Sequence, residues 1–135
     1  MLRKVFRVSA AVAFFCFAGS ASAQDPSDVL GSWKVTHTLS GAEWGSRRGI
    51  TWSENLEFER SGSEASATFP SDQTEIRTDG TAAWLTCRCV CPADRKTQQV
   101  QLVWSADKRR FSYTYTTHSN ECGGSARRIT SAFSR

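Results

Sequence analysis

The sequence lacks the features that mark helical proteins and most enzymes. Beyond residue 23 it has no helical periodicity of useful length, no internal repeat and no low-complexity tract. Its two histidines, His37 and His118, are accompanied by neither a nucleophile elbow nor a paired-carboxylate signature. These absences argue against a helical fold and against catalysis. We therefore predict a protein that is not an enzyme, with no catalytic residue and no cofactor.

The cysteines lack the spacing of a metal or haem site. No C-x-x-C pair and no C-x-x-C-H motif occurs, and the chain has instead the run Cys87-Arg88-Cys89-Val90-Cys91. Along a strand, residues i and i+2 lie about 6.7 Å apart and residues i and i+4 about 13 Å apart. One zinc ion with bonds of ~2.3 Å cannot reach all three sulfurs. No metal site is predicted, and metal or thiol chemistry at this run stays the third functional alternative.

The first 23 residues have the pattern of an export signal. Arg3, Lys4 and Arg7 form a basic start, residues 8–18 an apolar middle, and residues 21–23 (Ala-Ser-Ala) a cleavage site. The apolar middle is shorter than the ~20 residues that span a bilayer, so no membrane span is expected. The sequence predicts a signal peptide over residues 1–23 and one domain over residues 24–135 of a periplasmic or secreted protein.

The charge of the chain after this signal gives no support for nucleic-acid binding. Three of the 17 basic residues lie in the signal, which leaves 14 basic and 13 acidic residues. A net charge of +1 provides no basic track for phosphates. The expected partners are a small molecule or a secreted protein, and not a nucleic acid.

Short segments that alternate apolar and polar residues follow one another along the chain. Period two is typical of strands with one buried face. In the first predicted strand the inward residues are Trp33, Val35, His37 and Leu39, and in the second they are Ile50, Trp52, Glu54, Leu56 and Phe58. In the third they are Ala65, Ala67 and Phe69, and in the last Ile129, Ser131 and Phe133. A short fourth strand is predicted over residues 74–78.

Three turns between residues 76 and 115 predict one register for a four-stranded meander. The predicted pairs are Trp104–Phe111, Leu102–Tyr113 and Val100–Tyr115; Cys91–Gln98, Cys89–Val100, Cys87–Leu102 and Leu85–Trp104; and, across the hairpin signal Asp79-Gly80, Ile76–Ala83. All three turns place these side chains on one buried face. A shift of the register by one residue at any turn would move the side chains of a strand to the opposite face.

Eight short strands in the 112 residues after the signal predict an all-β fold. The simplest arrangement is a small eight-stranded antiparallel up-and-down barrel, and a β-sandwich is the alternative. Consecutive hairpins favour the barrel, because closure leaves no exposed sheet edge.

Gly31-Ser32-Trp33, at the start of the first predicted strand, resembles the G-x-W opening of lipocalins and their smaller calycin-type relatives. Those families are eight-stranded binding barrels in which the tryptophan plugs the closed end beneath an arginine from near the end of the chain. The resemblance implies that Trp33 lies under Arg127, Arg128 or Arg135. It supports a barrel that binds a ligand.

Polar and aromatic side chains share the predicted inward face. If Leu39 pairs with Ile50, His37 and Glu54 become diagonal neighbours, either as part of a ligand site or as an internal hydrogen-bonded pair. Aromatic walls with a few polar groups suit a small-molecule pocket. The first functional hypothesis is therefore a carrier of a small apolar or amphipathic ligand. Its candidate ligand-binding residues are His37, Trp52, Glu54, Tyr113 and Tyr115.

The loop over residues 40–48 is the second candidate surface. Trp44 lies between two glycines and close to Arg47 and Arg48, and Trp and Arg dominate the hot spots of protein interfaces. This pattern fits a protein-binding module, such as an inhibitor of a secreted hydrolase. In the alternative interpretation, Trp44 folds back over the end of the barrel.

Four cysteines remain after the signal, an even number that is typical of an oxidising compartment. The favoured disulfide joins Cys91 to Cys122, with Cys89 as the second choice of partner. The cysteines left over are either buried thiols or a strained Cys87–Cys89 bond that needs a bulge.

We predict a Cys91–Cys122 disulfide in protein that has matured outside the cytosol. It closes a loop of about 31 residues and is expected to add roughly 3–4 kcal/mol to the free energy of unfolding in the chain-entropy model. Peptide mapping after alkylation without reduction tests this pairing. Three rapidly labelled thiols, with zinc or copper released on labelling, would contradict it and favour the metal alternative.

Overall fold

The computed structural model describes residues 25–87, 96–117 and 126–135, which fold into one antiparallel sheet. Two short 3-10 helical segments, Pro26–Asp28 and Ala42–Arg47, accompany the strands. In these three ranges, no helix is long and apolar enough to cross a membrane. The nine strands are β1 (Gly31–Leu39), β2 (Thr51–Ser61), β3 (Glu64–Thr68), β4 (Glu75–Thr78), β5 (Ala82–Cys87), β6 (Lys96–Gln101), β7 (Val103–Trp104), β8 (Arg110–Thr116) and β9 (Arg128–Ser134).

The strands form a nearly closed barrel, in the order β6-β5-β4-β3-β2-β1-β9-β8-β7. Strands that follow one another along the chain are neighbours, except that β9 inserts between β1 and β8. The prediction of an all-β antiparallel barrel is thereby confirmed, and the sheet is not divided into the two layers of a sandwich.

The predicted number of eight strands is wrong for the described part of the chain, which has nine. The difference arises at Leu102, where one predicted strand changes partner. The Leu102 N–H donates to the Thr81 carbonyl on the β5 side (2.9 Å), whereas Val103 already pairs with Ser112 of β8. The chain must bend to satisfy both neighbours, and the bend separates β6 from β7.

A seam remains between β6 and β8, where the structure shows no strand pairing among the described residues. The predicted pairs Leu102–Tyr113 and Val100–Tyr115 are therefore wrong, although Trp104–Phe111 is confirmed. A side-chain amide bridges the seam: Gln98 Nε2 donates to the Thr116 carbonyl and Gln98 Oε1 accepts from the Thr116 N–H, both at 2.9 Å. A primary amide can do this because it carries one donor and one acceptor group, like the peptide it replaces.

The registers of the β4–β5 and β5–β6 hairpins also differ from the prediction. Ile76 pairs with Leu85 rather than Ala83, a shift of two residues, and Leu85 pairs with Gln98 rather than Trp104, a shift of six. Cys87 pairs with Lys96 rather than Leu102. Because both shifts are even, the predicted inward side chains stay on the inner face.

A carboxylate explains the longer β4–β5 turn. Asp79 Oδ1 accepts hydrogen bonds from the N–H groups of Thr81 (2.8 Å) and Ala82 (2.9 Å). The Thr78 hydroxyl donates to the Ala82 carbonyl and accepts from the Gly80 N–H. These side-chain bonds stabilise a wider loop than the two-residue turn that Asp79-Gly80 predicts.

The predicted pairing of the first two strands is confirmed. The Leu39 N–H donates to the Ile50 carbonyl (3.0 Å), and His37 lies opposite Trp52. Inward residues of β1 and β9 are buried as expected. The buried apolar core consists of Val29, Trp33, Val35, Leu56, Phe58, Ala65, Phe69, Ile76, Ala83, Leu85, Val100, Leu102, Phe111, Tyr113 and Phe133.

Trp33 lies in the core at one end of the barrel and is 2% exposed. The guanidinium carbon of Arg135 is 4.0 Å from the centroid of its ring, so the predicted stacking is confirmed with Arg135 as the arginine. Arg135 also donates to the carbonyls of Leu30 and Asp28, each at 2.7 Å, and the Trp33 indole donates to the Val29 carbonyl at 2.7 Å. These bonds fasten the segment before β1 to the last residue of the chain.

We expect Trp33→Ala to lower the free energy of unfolding by about 3–5 kcal/mol, the loss typical of a fully buried tryptophan. Urea denaturation followed by circular dichroism measures it. Trp84 provides a matched control, because it is half-buried on the other face of β5 with Arg77 over its ring. Trp84→Ala should cost about 1 kcal/mol. Equal losses in the two variants would contradict the closed-end role of Trp33.

Candidate functional site

A buried hydrogen-bonded chain crosses three strands near the middle of the barrel. His37, 4% exposed on β1, lies 2.7 Å through Nε2 from Glu54 Oε2 of β2 and 2.8 Å through Nδ1 from Ser131 Oγ of β9. The predicted His37–Glu54 neighbourhood is confirmed. It forms because β2 and β9 flank β1, so that all three side chains point inward from adjacent strands.

Glu54 also fastens the loop between β3 and β4. Its carboxylate accepts a hydrogen bond from the Ser71 N–H (3.1 Å) and another from the Ser71 hydroxyl (2.9 Å). In the same loop Gln73 has a φ of +64°, and Asp72 Oδ1 accepts from the Thr74 N–H at 2.9 Å. The carboxylate of Asp72 is therefore held in one place at the end of the barrel.

The chain His37–Glu54–Ser131 combines an imidazole, a carboxylate and a hydroxyl, which are the groups of a hydrolytic triad. Ser131 has 0% exposure, however, so a substrate carbonyl cannot reach its oxygen. Aromatic rings occupy the space around the imidazole, with the centroid of Trp52 at 4.9 Å and that of Phe69 at 5.3 Å. This arrangement supports a wall and holds a loop; it has no access for a reaction.

A cavity of about 170 Å³ opens at the barrel end opposite Trp33. Its walls come from the ends of several strands and from the loop before β4. The lining residues are Trp52, Asp72, Thr74, Leu85, Cys87, Gln98, Tyr115, Thr116, Thr117 and Ile129. Two aromatic and two aliphatic side chains provide its apolar walls, and one carboxylate, one amide, one thiol and threonine hydroxyls provide its polar groups.

Both tyrosines of the chain lie at this end of the interior, with ring centroids 6.0 Å apart. Tyr115 lines the cavity, whereas Tyr113 is 2% exposed and its hydroxyl has no hydrogen-bond partner. The nearby Ser131 hydroxyl is hydrogen-bonded to His37. The interior therefore contains a buried donor that no described side chain uses.

Burial raises the pKa of both phenols. For Tyr113 the pKa is well above 10.0, chiefly from desolvation and then from Tyr115, with Asp72 and Glu54 adding to the shift and Ser131 opposing it. For Tyr115, desolvation again dominates, and Asp72, Cys87 and Glu54 raise the pKa further.

The structure places the five predicted ligand-binding residues in one region but in different roles. Trp52 and Tyr115 line the cavity, and Tyr113 lies in the core next to Tyr115. His37 and Glu54 form the buried chain, with His37 against Trp52. Sequence reasoning did not assign to the site Asp72, Thr74, Leu85, Cys87, Gln98, Ile129 and Ser131. Leu85, Ile129 and Ser131 could have been assigned to the interior from the alternation of inward and outward side chains along their strands. Asp72 could not, because it lies in a loop, where the sequence has no such alternation.

The Trp44 segment is fastened to the barrel. The Trp44 indole donates to the Arg128 carbonyl (2.7 Å), and its ring lies beneath Arg47 (5.4 Å) and Arg127 (5.0 Å). The Glu43 carboxylate accepts from the Arg128 backbone and guanidinium, and these hydrogen bonds lower its pKa to about 2. Trp44 thus folds back over the barrel end, while Arg47 and Arg48 stay exposed.

The predicted disulfide lies outside the described residues, as do Cys89, Cys91 and Cys122, so it stays a prediction. Cys87 ends β5 and lines the cavity. Within the described ranges, no group of three or more His, Cys, Asp or Glu side chains is placed to hold a metal ion.

Comparisons with protein-family models, with curated proteins and with solved structures give no match for this chain. The function is therefore inferred from the cavity and from the groups that line it.

We expect the two tyrosines to resist ionisation in the folded protein. Below pH 10 both the folded and the unfolded chain hold these protons, and above it the unfolded chain loses them first, so stability falls as the pH rises. A spectrophotometric titration should show no phenolate absorbance near pH 10 while the circular dichroism is native. The protein in guanidinium, as control, should titrate near 10. A native protein that titrates there would contradict the buried placement.

Proposed function

We propose that this protein is an exported, periplasmic or secreted, binding protein that carries a small amphipathic ligand in the cavity at the open end of its barrel. The observation that carries the proposal is the cavity itself, with aromatic and aliphatic walls and a few fixed polar groups. Such a composition is what small-molecule sites share. It acts by binding rather than by catalysis, because the one hydroxyl beside the imidazole is fully buried.

The size of the cavity limits the ligand. Its volume of about 170 Å³ is below the ~300–1,000 Å³ of sites for drug-sized molecules. An apolar cavity of about 150 Å³ is known to hold benzene. The proposed ligand is therefore about as large as one substituted aromatic ring, and not a long lipid.

The filled half of the barrel explains this limit. Trp33, Phe111 and Phe133 contact one another at the closed end, with the rings of Phe111 and Phe133 stacked at 4.3 Å. Trp104 and Phe69 extend the cluster. Space for a ligand is left where the side chains become smaller, around Thr74 and Cys87.

The resemblance to calycin-type barrels supports the same proposal. The fold is an antiparallel, nearly closed barrel, and the tryptophan of Gly31-Ser32-Trp33 is buried beneath the arginine at the end of the chain. In those families the tryptophan plugs the closed end of the barrel. In this chain the cavity is at the end opposite Trp33.

A protein-binding module, such as an inhibitor of a secreted hydrolase, is the second candidate function. It is favoured by the rigid anchoring of the Trp44 segment through Glu43 and Arg128 and by the exposure of Ile50 (50%) at the same end. A preorganised surface with exposed Arg47 suits a protein partner. This candidate predicts that no small molecule saturates the cavity. Metal or thiol chemistry at the cysteine run stays a third alternative.

Filling the cavity tests the proposal. Benzyl alcohol, whose ring matches the cavity in size, should bind saturably and shift the NMR signals of Trp52, Leu85 and Tyr115. Leu85→Phe places a ring in the cavity and should weaken binding by roughly tenfold or more.

Leu102→Phe is the matched control, because Leu102 is also buried (7% exposed, against 3% for Leu85) and does not line the cavity. It should leave the affinity within about twofold, and circular dichroism should show both variants folded. Absence of saturable binding to the native protein, or equal weakening in the two variants, would contradict the proposed function and favour the protein-binding candidate.

A further inference from the structure

The cavity has one charged lining residue among those described, and it is an acid. Asp72 lines its mouth, and no Lys, Arg or His of the described chain lines it with Asp72. Asp72 Oδ1 accepts from the Thr74 N–H, which fixes the direction of the carboxylate. No ion pair between Asp72 and another described residue is present. The negative charge at the mouth is therefore not neutralised by the described wall.

The apolar walls add a second attraction for positive charge. Trp52 and Tyr115 present aromatic rings to the same cavity, and the faces of such rings attract cations. Trp52 packs against the His37 ring, with the two ring centroids 4.9 Å apart, and 38% of the residue is exposed. An anionic ligand would meet both the carboxylate and the negative ring faces, and it would be disfavoured.

A buried carboxylate lies close to the cavity as well. Glu54 holds Ser71, the residue before Asp72, and it is close enough to both tyrosines to raise their pKa values together with Asp72. Asp72 and Glu54 thus both lie near the cavity: Asp72 lines it, whereas Glu54 contacts the His37 imidazole, and the arginines at this end of the barrel (Arg47, Arg48, Arg127 and Arg128) do not line the cavity. Asp72 is therefore the charged group among the described residues that a ligand in the cavity would meet directly.

We propose that the ligand is a small organic cation: a protonated amine, or a more substituted ammonium, carried on an apolar body of about one ring. Its ammonium group lies at the Asp72 carboxylate, and its apolar body contacts Trp52 and Tyr115. This inference rests on the proposed function and specifies the class of ligand for the same cavity.

The test compares benzylamine with benzyl alcohol, which have nearly the same shape and differ in charge at neutral pH. NMR titration of the purified protein gives both affinities from the signals of the cavity residues. An exposed ion pair together with a cation–π contact should make benzylamine bind roughly five- to tenfold more tightly. In Asp72→Asn this preference should fall to about twofold or less. The amide keeps the acceptor for the Thr74 N–H, so the loop is preserved.

Asp107→Asn is the matched control, because Asp107 also accepts hydrogen bonds in a turn but does not line the cavity. It should retain the preference for benzylamine. Equal binding of the two compounds by the native protein, or a preference that survives in Asp72→Asn, would overturn the assignment of a cation while leaving the proposed function intact. Saturable binding of neither compound would overturn both.

Discussion

Pairing of the last strand with the first is the interaction on which the rest of this structure depends. By inserting between β1 and β8, β9 turns a meander into a nearly closed barrel. The same pairing places Arg135 over Trp33 at the closed end, Ser131 beside His37 in the middle, and Arg128 beneath the Trp44 segment at the open end. The closed end at Trp33, the hydrogen-bonded chain at His37 and the anchoring of the Trp44 segment therefore all depend on the position of β9 in the sheet.

The interior is divided between a packed half and a half that contains the cavity. At the closed end large aromatic rings fill the space, and burying them supplies the largest favourable term in folding. Toward the open end, Thr, Cys and Gln side chains replace the rings and leave a cavity beside Trp52 and Tyr115. The His37–Glu54–Ser131 chain lies between these halves, and its polar side chains are hydrogen-bonded to one another. Core packing and the proposed ligand binding are thus assigned to different layers of one barrel.

Glu54 connects these layers. Its carboxylate accepts from the Ser71 N–H and hydroxyl and contacts the His37 imidazole, which in turn supports the ring of Trp52. One buried acid therefore positions both the loop that carries Asp72 and the aromatic wall that faces it. A buried charge is retained only when such partners are present, because its desolvation is costly. The Asp72 carboxylate, which is proposed to contact the ligand, is therefore positioned through the Glu54 carboxylate.

The strand alternation in the sequence determined which side chains face inward along most of the sheet, but Ile50 and Trp52, which were predicted to face inward, are 50% and 38% exposed. His37, Leu85, Val100, Tyr113 and Ser131 are buried or lie against the core as their parity requires, and even the wrong hairpin registers moved by two and six residues, which preserves the face. Local pattern also identified the Leu39–Ile50 pairing and hence the contact between His37 and Glu54.

Only the tertiary structure decided the position of the β6–β7 bend, the Gln98 bridge across the seam, the place of Asp72 at the mouth of the cavity, and the choice of Arg135 among three arginines. These features depend on partners distant in sequence and on side-chain hydrogen bonds in turns. Period-two alternation carries no information about either, because it reports which face a residue occupies and not which neighbour it meets.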